Sequence, residues 1–299
     1  MAMTVSVNLS SCKEDENEPE PKKEEVIIEP TEPKVEETEA ETPSLQQLGI
    51  APLASYIYEM NGITCTYNFE YNSKGVVTKI EMTSEVSEDA TNTEIYTALQ
   101  PIPYLLDSVA IQLDSLEVKS HWSIYKKGKL TQEYNTLAKD FELDSVGCIS
   151  RFTNVKDNQM ERFVYQYDEA SHLTNCTIEQ DENTTKSWSE NEWNNGNITG
   201  CRTNGFRYNF VYTENLRNNG IFMTEALPYA KTGANVALAM AGYYGAPTQN
   251  LPDVVNSKNG VSIHYAELFY EFDEQGRVVK IKSMANDEDY STETYIYLE

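Results

Sequence analysis

Apolar and polar residues alternate along much of the chain beyond residue 50, with the period of two that a half-buried β-strand shows. Residues 67–71 read aromatic, polar, aromatic, polar, aromatic, and residues 163–167 have aromatic residues at the same alternate positions. Successive side chains of a strand point to opposite faces, so each segment has one aromatic face, and the other face of 67–71 is polar. The alternation therefore predicts strands that cover a core with one face.

A turn signal follows several of these strands. The recurring unit is an aromatic-x-aromatic strand end, a turn with Asn or Asp and Gly, and a second short apolar strand. The clearest copies span 69–80 and 270–281, a third copy at 165–173 lacks the glycine, and shorter forms lie at 193–198 and 125–130. Asn and Asp favour turn starts, and glycine tolerates the positive φ of a tight turn or bulge. We predict positive φ at Gly75 and Gly276.

These units predict a mainly β fold. Residues 44–299 have the length of a single β domain, and the irregular separation of the units excludes a strict solenoid. An antiparallel meander fits best, in a curved or barrel-like sheet that hides its edges, with one or two short helices. The final run 295–298 is apolar on both faces, so we predict that it forms an interior, closing strand.

One segment departs from the strand pattern. Residues 225–245 are rich in Ala, Leu and Met, and 234–244 read as a helix ended by Gly245-Ala246-Pro247. We expect its apolar residues to pack on the sheet. The spacing around residues 96–118 is ambiguous between helix and strand. The apolar run 236–244 is far shorter than a membrane helix.

Residues 13–43 have a different composition from the rest. They hold 13 acidic and 4 basic residues, five prolines, and neither aromatic residues nor glycine. Such a segment cannot bury enough apolar surface to offset its ordering entropy, and its charge keeps it extended. It reads as a disordered acidic tether rich in Pro and Glu.

Charge limits the partners. The net charge is −25, of which residues 44–299 carry −16 (19 basic minus 35 acidic residues). A field of this sign disfavours nucleic acid and anionic lipid as ligands. We therefore expect no nucleic-acid partner.

The N-terminal residues indicate what the acidic tether is attached to. Leu9-Ser10-Ser11-Cys12 follows a short apolar stretch and precedes Lys13-Glu14-Asp15-Glu16. It resembles a bacterial lipobox, which implies lipidation of Cys12 and a truncated lipoprotein signal peptide over 1–12. The charged residues after the cysteine resemble the export signal of Bacteroides-type surface lipoproteins. This implies an outer-membrane, lipid-anchored protein facing the exterior, with a spacer facing the periplasm as the alternative.

Residues 55–299 are similar to a Bacteroides-type lipoprotein family whose domain of unknown function has a porin-like β fold. The resemblance rests on the hairpin units, on Gly242-Tyr243-Tyr244-Gly245 and on Asn250-Leu251-Pro252. The hairpin unit alone also resembles YD-type repeats of large surface proteins. The family implies an antiparallel, barrel-like sheet on a lipid anchor and supplies no catalytic residues. The hairpins are too polar and Tyr-rich for a lipid-facing band.

The chain contains no recognisable catalytic motif. His121, His172 and His264 are isolated in the sequence, which gives no metal site, and no nucleotide-binding loop indicates a cofactor. With 35 acidic residues in the domain, no carboxylate pair stands out as a hydrolase centre. The acidic run Asp287-Glu288-Asp289 reads as a solvated turn. Disulfide pairing among Cys65, Cys148, Cys176 and Cys201 stays open, because buried free thiols are equally ordinary.

Aromatic side chains are the other chemical resource. Twenty Tyr, nine Phe and three Trp residues are present, and aromatic faces can stack on sugars. Most belong in the core. We select Trp122, Trp188 and Trp193 as possible ligand-stacking residues.

Three Asp-Ser pairs precede an apolar residue. Their serines are Ser108, Ser115 and Ser145. The pattern resembles the short O-glycosylation signal of Bacteroides-type exported proteins. The alternative is an ordinary turn or strand start.

Three functions remain open. The leading hypothesis is a surface-tethered, non-enzymatic binding or interaction module with a glycan or protein partner. The alternatives are a glycan-active hydrolase that uses two carboxylates and a passive structural envelope component. Two carboxylates about 5–10 Å apart in a cleft would favour the hydrolase, and an aromatic-lined groove without them would favour the binder.

Overall fold

A computed structural model describes most of the chain from residue 49 onward. The described residues are 49–73, 75, 77–88, 93–99, 118–127, 129–156, 159–181, 184–203, 206–214, 216–223, 234–259, 262–285 and 288–299, with backbone only at 78, 93–99, 180–181, 184–188 and 262–264. They all belong to one compact unit, Glu39–Glu299. The predicted segments 1–12 and 13–43 lie outside the described residues.

The domain is a single antiparallel sheet of 16 strands. The first eight strands are β1 Leu53–Met60, β2 Ile63–Tyr71, β3 Val77–Val86, β4 Thr93–Leu99, β5 Val118–Lys126, β6 Lys129–Leu143, β7 Ile149–Lys156 and β8 Gln159–Tyr167. The others are β9 Leu173–Asp181, β10 Thr184–Asn194, β11 Asn197–Thr203, β12 Phe206–Val211, β13 Val254–Asn259, β14 Ser262–Phe272, β15 Val278–Ala285 and β16 Glu288–Tyr297. The predicted meander is confirmed.

The last strand closes the meander against the first. β16 pairs with both β15 and β1, with Tyr56 opposite Tyr295, so residues 295–297 lie in an interior strand as predicted. Only one of its faces is buried, since Ile296 is 46% exposed and Tyr295 2%. The hydrogen-bonded order begins at β3 and ends at β4, which are consecutive in the chain. These two strands lie side by side, but no backbone ladder joins them in the described part of the chain.

The predicted helix is shorter than expected. Helix α1 spans Ala234–Met240, whereas the sequence suggested residues 234–244. Gly242 takes a φ of 88°, and the amides of Gly242 and Tyr243 bond back to the carbonyls of Ala239 and Leu238. This is a Schellman ending, which stops the helix before the predicted Gly-Ala-Pro signal because glycine adopts a positive φ at little cost. The described part of the chain contains no helix suited by length and hydropathy to cross a bilayer.

The long connection between β12 and β13 covers one end of the sheet. We call its described residues 216–223 and 234–251 the cap segment, and the end that it covers the capped end. The amide of Ile149 bonds to Tyr243, that of Ala246 to Ser171 and that of Gln249 to Gly196, at 2.8–2.9 Å. The cap segment thus crosses three successive hairpin turns. A Cβ on Gly245 would lie 2.0 Å from the Ser171 carbonyl oxygen, so this crossing requires glycine.

The core lies on the concave side, against the cap segment. The helix residues from Val236 to Met240 are buried within it, which confirms that they pack on the sheet. Phe141, Phe152 and Phe163 stack across adjacent strands with ring centroids 5.0 Å apart. Aromatic pairs of this kind contribute beyond their buried area. The half of the concave face nearest the capped end is therefore apolar.

Candidate functional site

The other half of the concave face lies toward the hairpin tips and carries polar and aromatic side chains. We call it the tip half. Trp122 on β5 stacks on Tyr134 on β6, with ring centroids 5.7 Å apart and planes 13° apart. The Lys156 ammonium lies 3.6 Å from the Tyr134 ring centroid, and the Trp122 indole donates to Thr136 at 3.3 Å. This row across three strands is held in place by ladder pairing and cation-π contact.

A buried carboxylate lies on the same face of the sheet. Glu293 on β16 is 6% exposed, and its Oε2 accepts hydrogen bonds from the hydroxyls of Tyr295 at 2.7 Å and Tyr56 at 3.1 Å. Burial, and then the charge of Glu293, raise the pKa of Tyr56. The Tyr56 hydroxyl therefore remains a protonated donor near neutral pH. A buried charge supported by hydrogen bonds in this way is tolerated in a core.

Several buried hydroxyls near the tips have no partner. Ser189 and Thr203 face each other across β10 and β11, and Ser291 lies on β16. Their oxygens are buried and make no hydrogen bond with any described residue. An unpaired buried polar group costs about 1–3 kcal/mol. Water or a polar ligand normally satisfies such groups.

The hairpin turns at the capped end hold the most ordered carboxylates. Asp168 Oδ1 accepts the amides of Ala170 and His172, and Oδ2 contacts His172 Nδ1 at 2.9 Å. Asp273 repeats the arrangement with Gln275 and Arg277. Partial burial alone would raise the pKa of Asp168, but hydrogen bonds from His172 and the backbone outweigh it and lower that pKa. These aspartates are turn caps.

Two turns at the capped end, the one after β6 and the one after β8, border a cavity of about 490 Å³. Asp144 and Asp168 both line it, together with Ser150, Tyr165 and Thr174. Asp144 Oδ1 accepts the amides of Val146 and Cys148, so it too caps its own turn. A glycosidase needs one carboxylic acid whose pKa is raised, whereas the pKa of Asp168 is lowered. Asp168 is therefore unsuited to the role of that acid.

The predicted stacking residues do not form one site. Trp122 is half-buried on β5, whereas Trp193 on β10 stacks on His172 at 4.2 Å and donates its indole N–H to the Leu173 carbonyl at 2.9 Å. Four strands separate β5 from β10 in the sheet. The side chain of Trp188 lies outside the described residues. Trp122 is thus the candidate that faces the tip half.

The other predicted site residues lie partly within and partly outside the described residues. Cys12, Ser108 and Ser115 lie outside the described residues, and Ser145 is exposed in the β6–β7 turn. Cys65, Cys148, Cys176 and Cys201 are buried thiols without a disulfide among them, and burial raises the pKa of the first three to about 12. No metal-binding cluster occurs among the described side chains.

Two of the histidines are not isolated from carboxylates. His172 contacts Asp168, and His121 contacts Glu133 at 3.2 Å and Asn135 at 2.9 Å. Both histidines are thus hydrogen-bonded side chains, although the sequence contains no carboxylate-histidine motif around them. The four-residue spacing between Asp168 and His172 was a local signal, whereas strand register alone brings His121 to Glu133. The side chain of His264 is not among those described.

The chain belongs to a family with a porin-like fold and no assigned function. The family model is described as "Domain of unknown function (DUF4595) with porin-like fold" and matches residues 129–280, about half of the chain. This confirms the family that the hairpin units and the Gly-Tyr-Tyr-Gly run indicated. No curated protein sequence matches this chain.

Two solved structures are similar to this chain, and the likeness in fold rests on the first of them. One is a porin-like protein from Bacteroides uniformis ATCC 8492, with 14% identity, a TM-score of 0.51, and coverage of 83% of this chain and 98% of that one. The other is a porin-like protein from Bacteroides vulgatus ATCC 8482, with 10% identity, a TM-score of 0.43, and coverage of 83% and 99%. At these identities the likeness concerns the fold alone.

Proposed function

We propose that this protein is a surface-tethered lipoprotein whose β domain binds a ligand without chemical turnover. The observation that carries the proposal is the tip half of the concave face. There a rigid sheet presents the Trp122–Tyr134 stack beside Lys156. On other strands of the same half, the buried hydroxyls of Ser189, Thr203 and Ser291 have no hydrogen-bond partner among the described residues. Aromatic faces combined with hydrogen-bonding groups on a preformed surface suit a ligand with hydroxyls and an apolar ring face. Carbohydrate is the ligand class that fits.

The test compares glycan binding by the wild type and Trp122→Ala. Binding on a glycan array, followed by titration of any hit, should weaken about tenfold in Trp122→Ala, because an aromatic contact contributes roughly 0.5–1.5 kcal/mol beyond its buried area. Tyr290→Ala, a change at an exposed aromatic residue, is the matched control. Product release from a bound glycan would favour the hydrolase instead. No saturable binding of any glycan would favour a passive structural role.

The anchor is proposed on separate grounds. Cys12 carries the lipid, and residues 13–43 hold the domain away from the outer membrane on the exterior side. Stable anchoring takes more than one acyl chain, so several chains are expected on this cysteine. In a native host, Cys12→Ser should move the protein from the membrane fraction to the soluble or unprocessed fraction. Unchanged membrane association of that variant would contradict the anchor.

Glycosylation is proposed at Ser145. Its side chain is exposed in the turn that Asp144 caps, so a bulky glycan has room there. Ser108 and Ser115 remain candidates by sequence pattern. Intact mass spectrometry of protein from a native host should show mass beyond polypeptide and lipid, and Ser145→Ala should reduce it. A mass equal to polypeptide plus lipid would contradict the proposal.

A further inference from the structure

The β5–β6 hairpin extends beyond its neighbour. β6 runs from Lys129 to Leu143, but its ladder with β7 begins only at Thr136, opposite Lys156. Residues 129–135 therefore pair with β5 on one side and with no described strand on the other. At about 3.4 Å per residue this free edge is about 24 Å long. Shorter stretches, 184–188 of β10 and 262–266 of β14, project in the same way.

A free strand edge presents unpaired N–H and C=O groups that can pair with another extended chain. All residues of 129–135 are exposed except Tyr134, which is half-buried, and Leu130 leaves 48% of its surface exposed. The segment is also longer than a typical strand. It can therefore bind a complete additional strand.

The tip of this hairpin is basic within an acidic domain. Lys126, Lys127 and Lys129 are exposed, and none of them forms an ion pair with a described carboxylate. Lys126 and Lys129 lie directly opposite each other in the ladder, a like-charge pairing that destabilises a hairpin. The one acidic residue of the edge, Glu133, contacts His121. Among the described side chains, the positive charge of the tip is thus uncompensated.

Cross-strand pairs elsewhere compensate their charges. Glu70 lies opposite Lys79, and Glu142 opposite Arg151, and each pair forms a salt bridge. Arg202 faces Arg207, but Glu190 and Glu192 contact these two side chains. The lysine pair at the β5–β6 tip lacks such compensation.

Protection of the edge against aggregation is the alternative explanation for these lysines, because charged side chains discourage strand pairing. Two of the three, Lys126 and Lys127, lie outside the free edge itself, and Leu130 is left exposed on it. A second copy paired in parallel would bring two basic tips together, which like-charge repulsion opposes. A second copy paired antiparallel would place each tip at the Asn135 end of the other edge, where the one acidic residue, Glu133, already contacts His121. Positive charge beside an unpaired edge favours an acidic strand.

We propose that the free edge of β6 binds an extended, acidic peptide segment of a partner protein by strand addition. Backbone hydrogen bonds to residues 129–135 supply the pairing, and the three tip lysines select for acidic side chains. The site shares Tyr134 with the Trp122–Tyr134 surface, but it uses the backbone edge of β6 and not the aromatic ring faces, so it does not depend on the proposed glycan binding.

The test uses the full chain and three labelled ten-residue peptides. One alternates Glu and Val, the second alternates Lys and Val, and the third is the Glu-Val peptide with N-methyl groups on the amides of one edge. Fluorescence anisotropy should show binding of the first alone, weakened as salt rises from 50 to 300 mM. Lys126→Gln/Lys127→Gln/Lys129→Gln should weaken it about tenfold, as expected for three exposed charge pairs. The matched control is Lys79→Gln/Lys280→Gln/Lys282→Gln.

Hydrogen exchange locates the contact. Amides within 129–135 should gain protection when the Glu-Val peptide binds. If the N-methylated peptide bound as tightly as the Glu-Val peptide, charge alone would account for the interaction, and strand addition would be overturned. A tip variant that binds like the wild type would also overturn the proposal. A further result would overturn the proposal. If the amides of 129–135 were already protected without peptide, and deletion of residues 13–43 removed that protection, the chain's own segment would be the occupant of the edge. Trp122→Ala should leave peptide binding unchanged.

Discussion

The Tyr71 hydroxyl donates a hydrogen bond to the Leu53 carbonyl at 2.9 Å and accepts one from the Leu53 amide at 3.0 Å. Tyr71 ends β2 and Leu53 begins β1, so one side chain ties two strand ends together at the capped end. Related bonds to a strand-start carbonyl come from Tyr167 to Ile149, Trp193 to Leu173, Tyr212 to Ile198, Tyr270 to Pro252 and Tyr297 to Val278, at 2.6–2.9 Å. These hydrogen bonds explain why an aromatic residue with a polar donor recurs at the strand ends of the hairpin units.

Removal of one such hydroxyl should destabilise the domain. Tyr71→Phe leaves the Leu53 carbonyl and amide without their partner, and Tyr167→Phe leaves the Ile149 carbonyl without its own. Each change should lower the free energy of unfolding by about 1–2 kcal/mol. Urea unfolding measures this, with Tyr290→Phe at an exposed position as the control. Equal losses in all three variants would contradict the role of the hydroxyl.

The turn glycines should resist substitution. Gly75 and Gly276 have φ values of 75° and 74°, which confirms the predicted positive φ, and a Cβ on Gly75 would meet no atom within 4 Å. Gly75→Val should therefore cost about 1–2 kcal/mol through backbone strain alone. Ser171 has the positive φ of 64° in the copy that lacks glycine. Ser171→Gly should thus stabilise the domain by up to about 1 kcal/mol, and the opposite sign in thermal unfolding would contradict this account.

Alkaline pH should unfold the domain steeply. Burial raises the pKa of Cys65, Cys148, Cys176 and Tyr71 to about 12. The pKa values of these groups are higher in the folded state than in the unfolded state. Their contribution to the free energy of unfolding is therefore complete below the unfolded-state pKa values of about 8.5–10, and it is lost as the pH rises toward 12. The free energy of unfolding should fall from about pH 9 upward. Cys176→Ala should reduce this slope, whereas loss of an exposed tyrosine in Tyr290→Phe should not.

Acid should remove the contribution of the turn aspartates. Hydrogen bonds from His172 and the backbone lower the pKa of Asp168 despite its partial burial. Because the pKa of Asp168 is lower in the folded state, its contribution to the free energy of unfolding is present above the unfolded-state pKa of about 4. That contribution is lost as the pH falls through the folded-state pKa. Asp168→Asn should therefore cost about 1 kcal/mol at pH 7 and less at pH 3. Glu169→Gln, in the same turn, is the control, and a cost independent of pH would contradict the charge argument.

Local sequence information was enough for the fold class and the hairpin units. The period of two identifies half-buried strands because strand side chains alternate between faces. The turn residues are equally local, since the Asp168 and Asp273 carboxylates bond to amides within their own turns. The family resemblance rested on the same hairpins and was confirmed.

The sequence by itself thus indicated the hairpin strands, their turns and a helix that begins at residue 234, because each depends on contacts between residues close in the chain. Only the tertiary structure decided what depends on distant contacts. Strand register set Trp122 on Tyr134 and placed Glu293 beneath Tyr56, across 237 residues of chain. The stagger of β6 against β7 left residues 129–135 without a described strand on one side. No local pattern encodes these pairings, since they follow from how the strands pack and align against one another.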